Sequence, residues 1–165
     1  MKARNLFALP VLCAFIALPA FAQDTTVTTK ALTPELAQEA AKAALAECRT
    51  RGYQVAVAVV DRSGIPQVML RDRFAGPHTP PTATGKAWTA VSFKSSTGEL
   101  VAATQAPAMQ GLRQLPNVVL IGGGVTIEAG GSLVGAIGVS GAPGGDADEA
   151  CAKAGVAAVK DKLDF

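Results

Sequence analysis

Histidine is almost missing from this chain: among 165 residues there is one, His78. A structural or catalytic zinc site usually needs more nitrogen and sulfur ligands than one imidazole and two distant thiols, so most metalloenzyme readings fall away. Aromatic side chains are few, with a single Trp and a single Tyr, which leaves little for nucleobases to stack on. An excess of either charge is missing as well, once the first residues are set aside. Lys2 and Arg4 form a basic start, Leu6 to Pro19 an apolar core, and Ala20-Phe21-Ala22 a small-x-small pattern. That is the pattern of a secretory signal cut after Ala22. The apolar run is interrupted by Pro10 and Pro19, and it falls short of the roughly 20 residues of a membrane span. A buried N-terminal helix is the alternative. Cys13 lacks the small preceding residue of a lipoprotein signal.

Removing 22 of the 165 residues leaves 143, enough for one domain around one core. The signal holds two of the 15 basic residues and none of the 13 acidic ones, so 13 of each remain. No basic stripe is left to recruit nucleic acid. No second segment is apolar enough to span a bilayer, so a soluble product is expected. Alanine, valine and glycine dominate what is there, which implies closely packed elements. Two cysteines survive the cut, Cys48 and Cys151. A bridge between them would close a loop of about 100 residues, worth roughly 4–5 kcal/mol in the chain-entropy model. Two buried thiols packed as small hydrophobes are the alternative.

Along the chain, residues 23–31 read as a flexible N-terminus and residues 32–165 as one domain. Thr33, Pro34 and Glu35 form a helix start, Leu36, Ala40, Ala44 and Cys48 its apolar stripe, and Gly52 its stop. Tyr53 to Val60 is a valine-rich run expected to be a strand covered on both faces. Asp61-Arg62-Ser63-Gly64 turns it into a partner, Ile65 to Leu70, whose Pro66 suits an edge. Three prolines and a glycine between Arg71 and Pro81 predict an irregular, stiff loop. A helix is expected from Thr82 to about Lys94, and a short one through Ala103 behind a Ser96/Glu99 capping box. Three strands follow near Val118–Ile121, Val125–Glu128 and Ser132–Val139. Asp146 with Glu149 then resembles a second box, opening a helix to about Leu163. This order predicts an α+β sandwich with a five-stranded antiparallel sheet.

Several segments together carry a resemblance. They are Val57-Ala58-Val59-Val60-Asp61-Arg62-Ser63-Gly64, Gly85-Lys86-Ala87-Trp88-Thr89-Ala90, and the glycine-punctuated stretch from Ile121 to Gly141. The chain resembles the GlcG/HbpS family of small haem-binding proteins from about Leu32 to Val159. The resemblance implies a profilin-like sandwich with the first and last helices packed side by side, which would bring Cys48 and Cys151 onto neighbouring helices. It also implies a ligand pocket or subunit contact near Lys86-Ala87-x-Thr89-Ala90, and higher assemblies of the chain. Arg73-Phe74-Ala75-Gly76 departs from the Asp-Gly-Ala that many members carry after the second strand.

His78 is the leading candidate residue. One imidazole suffices as an axial ligand to haem iron, because the porphyrin supplies four nitrogens. Gly76-Pro77-His78-Thr79-Pro80 would hold that ring on a stiff loop, and Arg71 and Arg73 are close enough in sequence to pair with propionates. The alternative is an exposed loop histidine beside surface arginines. Lys86 and Thr89 are secondary candidates, Thr89 as a weak oxygen ligand. Their plainer roles are a snorkelling lysine and a threonine bonded to its own helix. The glycine runs lack dinucleotide and P-loop spacing, and hairpin or close-packing roles suit them better. Gly138-Val139-Ser140-Gly141-Ala142 resembles a nucleophile elbow but departs from it at Ala142.

The expected function is an exported haem-binding protein, periplasmic or secreted, that stores, buffers or relays haem. Haem degradation follows from the resemblance only, and catalysis is otherwise not indicated. Two alternatives come from other classes: an oligomeric scaffold or sensor partner, and a binder of a small glycolate-like acid. A partner in sensing or transport fits the first reading as well.

Overall fold

A computed structural model describes residues 26–163. The segment read above as a secretory signal, Met1–Ala22, lies outside the described residues. Helix α1 spans Pro34–Thr50, strands β1 and β2 Ala56–Asp61 and Pro66–Arg71, and helices α2 and α3 Thr79–Phe93 and Thr97–Ala103. Strands β3 and β4 follow at Gly124–Ala129 and Ser132–Ser140, then helix α4 at Gly145–Ala157. Short 3-10 turns cover Pro107–Gln114 and Lys160–Lys162.

Local chemistry accounts for most boundaries. Thr33 caps α1 by accepting the Leu36 amide at 3.3 Å. Gly52, at φ +80°, stops the helix while the Tyr53 amide returns to the Cys48 carbonyl. Ser96 and Glu99 form the expected reciprocal box at the start of α3. Asp61 holds the β1–β2 turn, its carboxylate accepting the amides of Ser63 and Ile65 at 2.8 and 3.0 Å.

The sheet is antiparallel with four strands in the order β2-β1-β4-β3, one fewer than expected. The missing strand is Val118–Ile121. Its Val119 amide donates to Thr89 Oγ1 at 2.9 Å, so the segment is tied across α2 and not to a strand edge. Three further expectations change. Helix α2 begins at Thr79, with Pro80 and Pro81 in its first turn, where a missing N–H removes no helical bond. Asp146 and Glu149 do not form a capping box; the N-cap of α4 is Gly144, and Glu149 accepts the Gly98 amide at 3.1 Å. The last helix ends at Ala157, short of Leu163.

Strand β1 is buried on both faces because helices lie on both sides. Val57 and Val59 join Ile137 and Val139 in the core beneath α1 and α4. On the opposite face Ala56, Ala58, Val60 and Ala136 meet Ala83, Ala87 and Ala90 of α2. Small residues let α2 lie almost on the sheet. At Gly138 a Cβ would fall within 2.7 Å of the Ala87 nitrogen, so no larger residue fits without displacing the helix. On the other side α1 and α4 are joined by a Cys48–Cys151 disulfide, S–S 2.09 Å and Cα–Cα 5.5 Å.

Candidate functional site

One end of the sandwich opens into a cleft of about 570 Å³. The first half of α2 forms one wall and the Gly141–Gly144 loop leading into α4 forms the other, with the end of β4 between them. Phe74 and Ile121, 78% and 50% exposed, present apolar surface at its mouth.

The floor is charged. Lys86 lies on the apolar face of α2 and is 1% exposed. Its ammonium donates to Asp148 Oδ2 at 2.7 Å and to the Val139 carbonyl at 2.9 Å. Asp148 Oδ1 accepts the Ala142 amide at 2.9 Å, which fastens the loop before α4 to the start of that helix. Burial pushes the Asp148 carboxyl above the usual aspartate range, and the hydrogen bond and charge of Lys86 oppose this in part. Gly123, at φ +124°, leaves room for the pair; a Cβ there would come 2.7 Å from Asp148 Cβ and 3.0 Å from Lys86 Nζ.

His78 precedes α2 at the lip of the cleft and is exposed. Its carbonyl accepts the Thr82 amide and hydroxyl, at 3.2 and 2.7 Å, while its imidazole makes no hydrogen bond among the described residues. The loop beneath it is rigid for an identifiable reason. Asp72 is buried, accepts the Val55 amide at 3.2 Å and binds the Arg49 guanidinium at 2.7 Å, so the loop is pinned to both β1 and α1. Thr79 completes the turn by donating its hydroxyl to the Gly76 carbonyl at 2.8 Å.

Arg71 and Arg73 line a neighbouring hollow of about 490 Å³ that shares Gln54 and Phe74 with the cleft. Arg71 donates to the Ala75 carbonyl, and Arg73 lies over the Phe74 ring, 5.8 Å from its centre. Neither has a carboxylate partner among the described residues. Thr89 is placed elsewhere: it is fully buried, donates to the Gly85 carbonyl at 2.7 Å, accepts the Val119 amide, and lines no part of the cleft.

The structure thus brings His78 and Lys86 to one cleft, sets Arg71 and Arg73 beside it, and leaves Thr89 out. Sequence reasoning missed Asp148. Its signal was present, because Asp148 falls on the same helical stripe as Cys151, Ala152 and Gly155, all buried or facing the core. A lone acid on such a stripe calls for a buried cation. Ser140 makes no hydrogen bond to His78, so the elbow-like motif forms no Ser–His pair.

The fold is a three-layer α+β domain with an open cleft at one end of its sheet, the kind of concavity in which small ligands bind. The chain belongs to the HbpS-like family: the family model described as haem-degrading protein HbpS-like matches residues 32–157. It is 40% identical to Streptomyces reticuli HbpS, in the crystal structure of a double mutant, with a TM-score of 0.77 over 86% of this chain and 96% of that one. The crystal structure of a PduOC:haem complex is 31% identical, with a TM-score of 0.72 over 78% of this chain and 95% of that one. The corrinoid adenosyltransferase PduO of Citrobacter freundii is 35% identical over 103 residues, 61% of this chain. This chain spans only 31% of that enzyme's length.

Proposed function

We propose that this protein binds haem outside the cytoplasm, to store, buffer or relay it, with His78 as an axial ligand to the iron. The observation that carries the reading is the His78 imidazole: exposed, without a hydrogen-bond partner among the described residues, and held on a rigid loop at the lip of a cleft flanked by Phe74 and Ile121. A porphyrin is a flat apolar ring with charged substituents on one edge, and these residues fit it. Apolar side chains would cover the ring, the imidazole would meet the iron, and Arg71 and Arg73 would receive a propionate by charge-assisted hydrogen bonds. Bound haem would supply a redox-active iron; this chain supplies the position and the exclusion of water around it. The solved haem complex of a 31% identical relative supports haem as the ligand.

Haemin titration followed by absorption spectroscopy tests the reading. The expected result is a saturable Soret shift at one haem per chain, lost or altered in His78→Ala. Saturable binding with an unchanged His78→Ala spectrum would move the iron ligand elsewhere. Binding no stronger than that of an unrelated apolar protein would overturn the haem function.

A further inference from the structure

Tyr53 is the single tyrosine of the chain, and the haem reading leaves it without a role. It follows the Gly52 stop of α1, where the Cys48 carbonyl accepts its amide at 3.0 Å. Its ring is half-buried against the core beneath α1 and α4, and it lines the cleft. A phenol in such a place usually finds a hydrogen-bond partner; this hydroxyl has none among the described residues. His78 reaches the same cleft from the other layer, at the head of α2. The two segments meet across Gly141, at φ +130°, where a Cβ would come 2.6 Å from the Gln54 carbonyl oxygen and 3.4 Å from Thr79 Cγ2. Tyr53 and His78 thus enter one cleft from opposite layers, each next in sequence to a residue beside Gly141. Most other polar groups of the lining are committed. Lys86 and Asp148 bind each other, and the hydroxyls of Thr79 and Thr82 donate to the Gly76 and His78 carbonyls. Ser140 offers an aliphatic hydroxyl, a far weaker acid than a phenol.

We propose that Tyr53 is the second axial ligand of the iron, its phenolate oxygen meeting the face of the ring opposite His78. The inference rests on the haem reading and names the other half of its coordination. A flat ring seated between the two layers presents one face to each, which is what an axial pair requires. Tyrosine oxygen is among the side-chain groups that hold haem iron. As a hard anionic donor, it favours ferric over ferrous iron. Ligation replaces the phenolic proton: the O–H bond breaks as the oxygen–iron bond forms, and the proton passes to water at the cleft mouth. Such a pair holds ferric haem firmly and loosens on reduction, a property suited to a relay.

Tyr53→Phe provides the test, because it keeps the ring and its packing and removes only the oxygen. Its melting temperature should match that of the wild type. The probes are haemin and metal-free protoporphyrin IX, which has the same ring and propionates but no iron to ligate. The variant should bind haemin about tenfold more weakly and protoporphyrin as well as the wild type does. Its ferric spectrum should lack the phenolate-to-iron charge-transfer band that the wild type shows. His78→Ala should keep that band, and the double variant should bind haemin no more tightly than protoporphyrin. On reduction of the iron, the spectra of the wild type and Tyr53→Phe should converge. Haemin affinity and ferric spectrum unchanged in Tyr53→Phe would overturn the ligation and leave the haem reading intact. Equal weakening of haemin and protoporphyrin would also overturn it, since the hydroxyl would then touch the ring or a propionate and not the iron. No saturable binding of either porphyrin to the wild type would overturn both readings.

Discussion

Lys86 and Asp148 put two opposite charges in a place built for apolar groups, and their value lies in being paired. Removing one partner of a buried ion pair leaves the other uncompensated, at a cost of about 3–5 kcal/mol. The two single variants should nevertheless differ with pH. In Lys86→Met the stranded group is a carboxylate that burial already drives toward its protonated form. A group with a raised folded-state pKa contributes stability fully present below its unfolded value, 3.8, and lost as the pH rises through the folded one. Denaturation of Lys86→Met should therefore show a large deficit at pH 7 that shrinks on acidification. Asp148→Asn leaves no carboxylate at this position to take up a proton, so its deficit should not shrink on acidification. Parallel pH profiles for the two variants would contradict this account. The same pair shows what was readable in the residues and what was not. Lys86 stood out beside Trp88 and Thr89 in a family-like segment, yet its partner lies 62 residues further on, and only the fold brings them together. His78 was conspicuous as the lone histidine. Phe74 had no comparable signal, because its place comes from facing a cleft that its own segment does not define.

Among the elements, helix ends and central strands were legible because their causes are local. Thr33, Ser96 and Glu99 cap what they were expected to cap, and the valine run of β1 is buried on both faces. Misreadings arose where a distant partner decides the outcome. Val118–Ile121 has strand composition, but Thr89 takes its amide before any strand can. Pro80 and Pro81 looked like helix breakers and instead occupy a first turn that needs no amides. The layer spacing is the element-scale feature with the sharpest consequence. Helix α2 can approach β4 only because Gly138 has no side chain. Gly138→Ala places a methyl group against the backbone of α2, and overpacking of this kind costs about 1–3 kcal/mol. Because Lys86 and the lip of the cleft ride on α2, the substitution should also weaken haemin binding. Chemical denaturation and haemin titration of the one variant check both. Unchanged stability would mean that α2 is free to move away from the sheet.

At the scale of the whole molecule, the Cys48–Cys151 bridge spans 103 residues and joins the first long helix to the last. Closing so long a loop in the unfolded chain is worth about 4–5 kcal/mol, against a total stability of roughly 5–15 kcal/mol for a domain of this kind. The bridge can thus account for a large share of the margin, and such bridges persist in oxidising compartments. Export and oxidation are therefore linked expectations. We expect the protein recovered from the periplasm or medium to begin at Gln23 and to have both thiols blocked. Reductant, or the double substitution Cys48→Ala/Cys151→Ala, should lower its melting temperature substantially. The cleft depends on the bridge only indirectly. Cys151 holds the body of α4 against α1, whereas the N-terminus of α4 is fastened separately through Asp148 to Lys86 and the Ala142 amide. Reduced protein that remains folded should still bind one haem per chain, at lower stability but with a similar spectrum. A melting temperature unmoved by reductant would mean that the α1–α4 contacts suffice by themselves. Haem binding lost before unfolding would mean that the bridge positions the cleft as well as stabilising the fold.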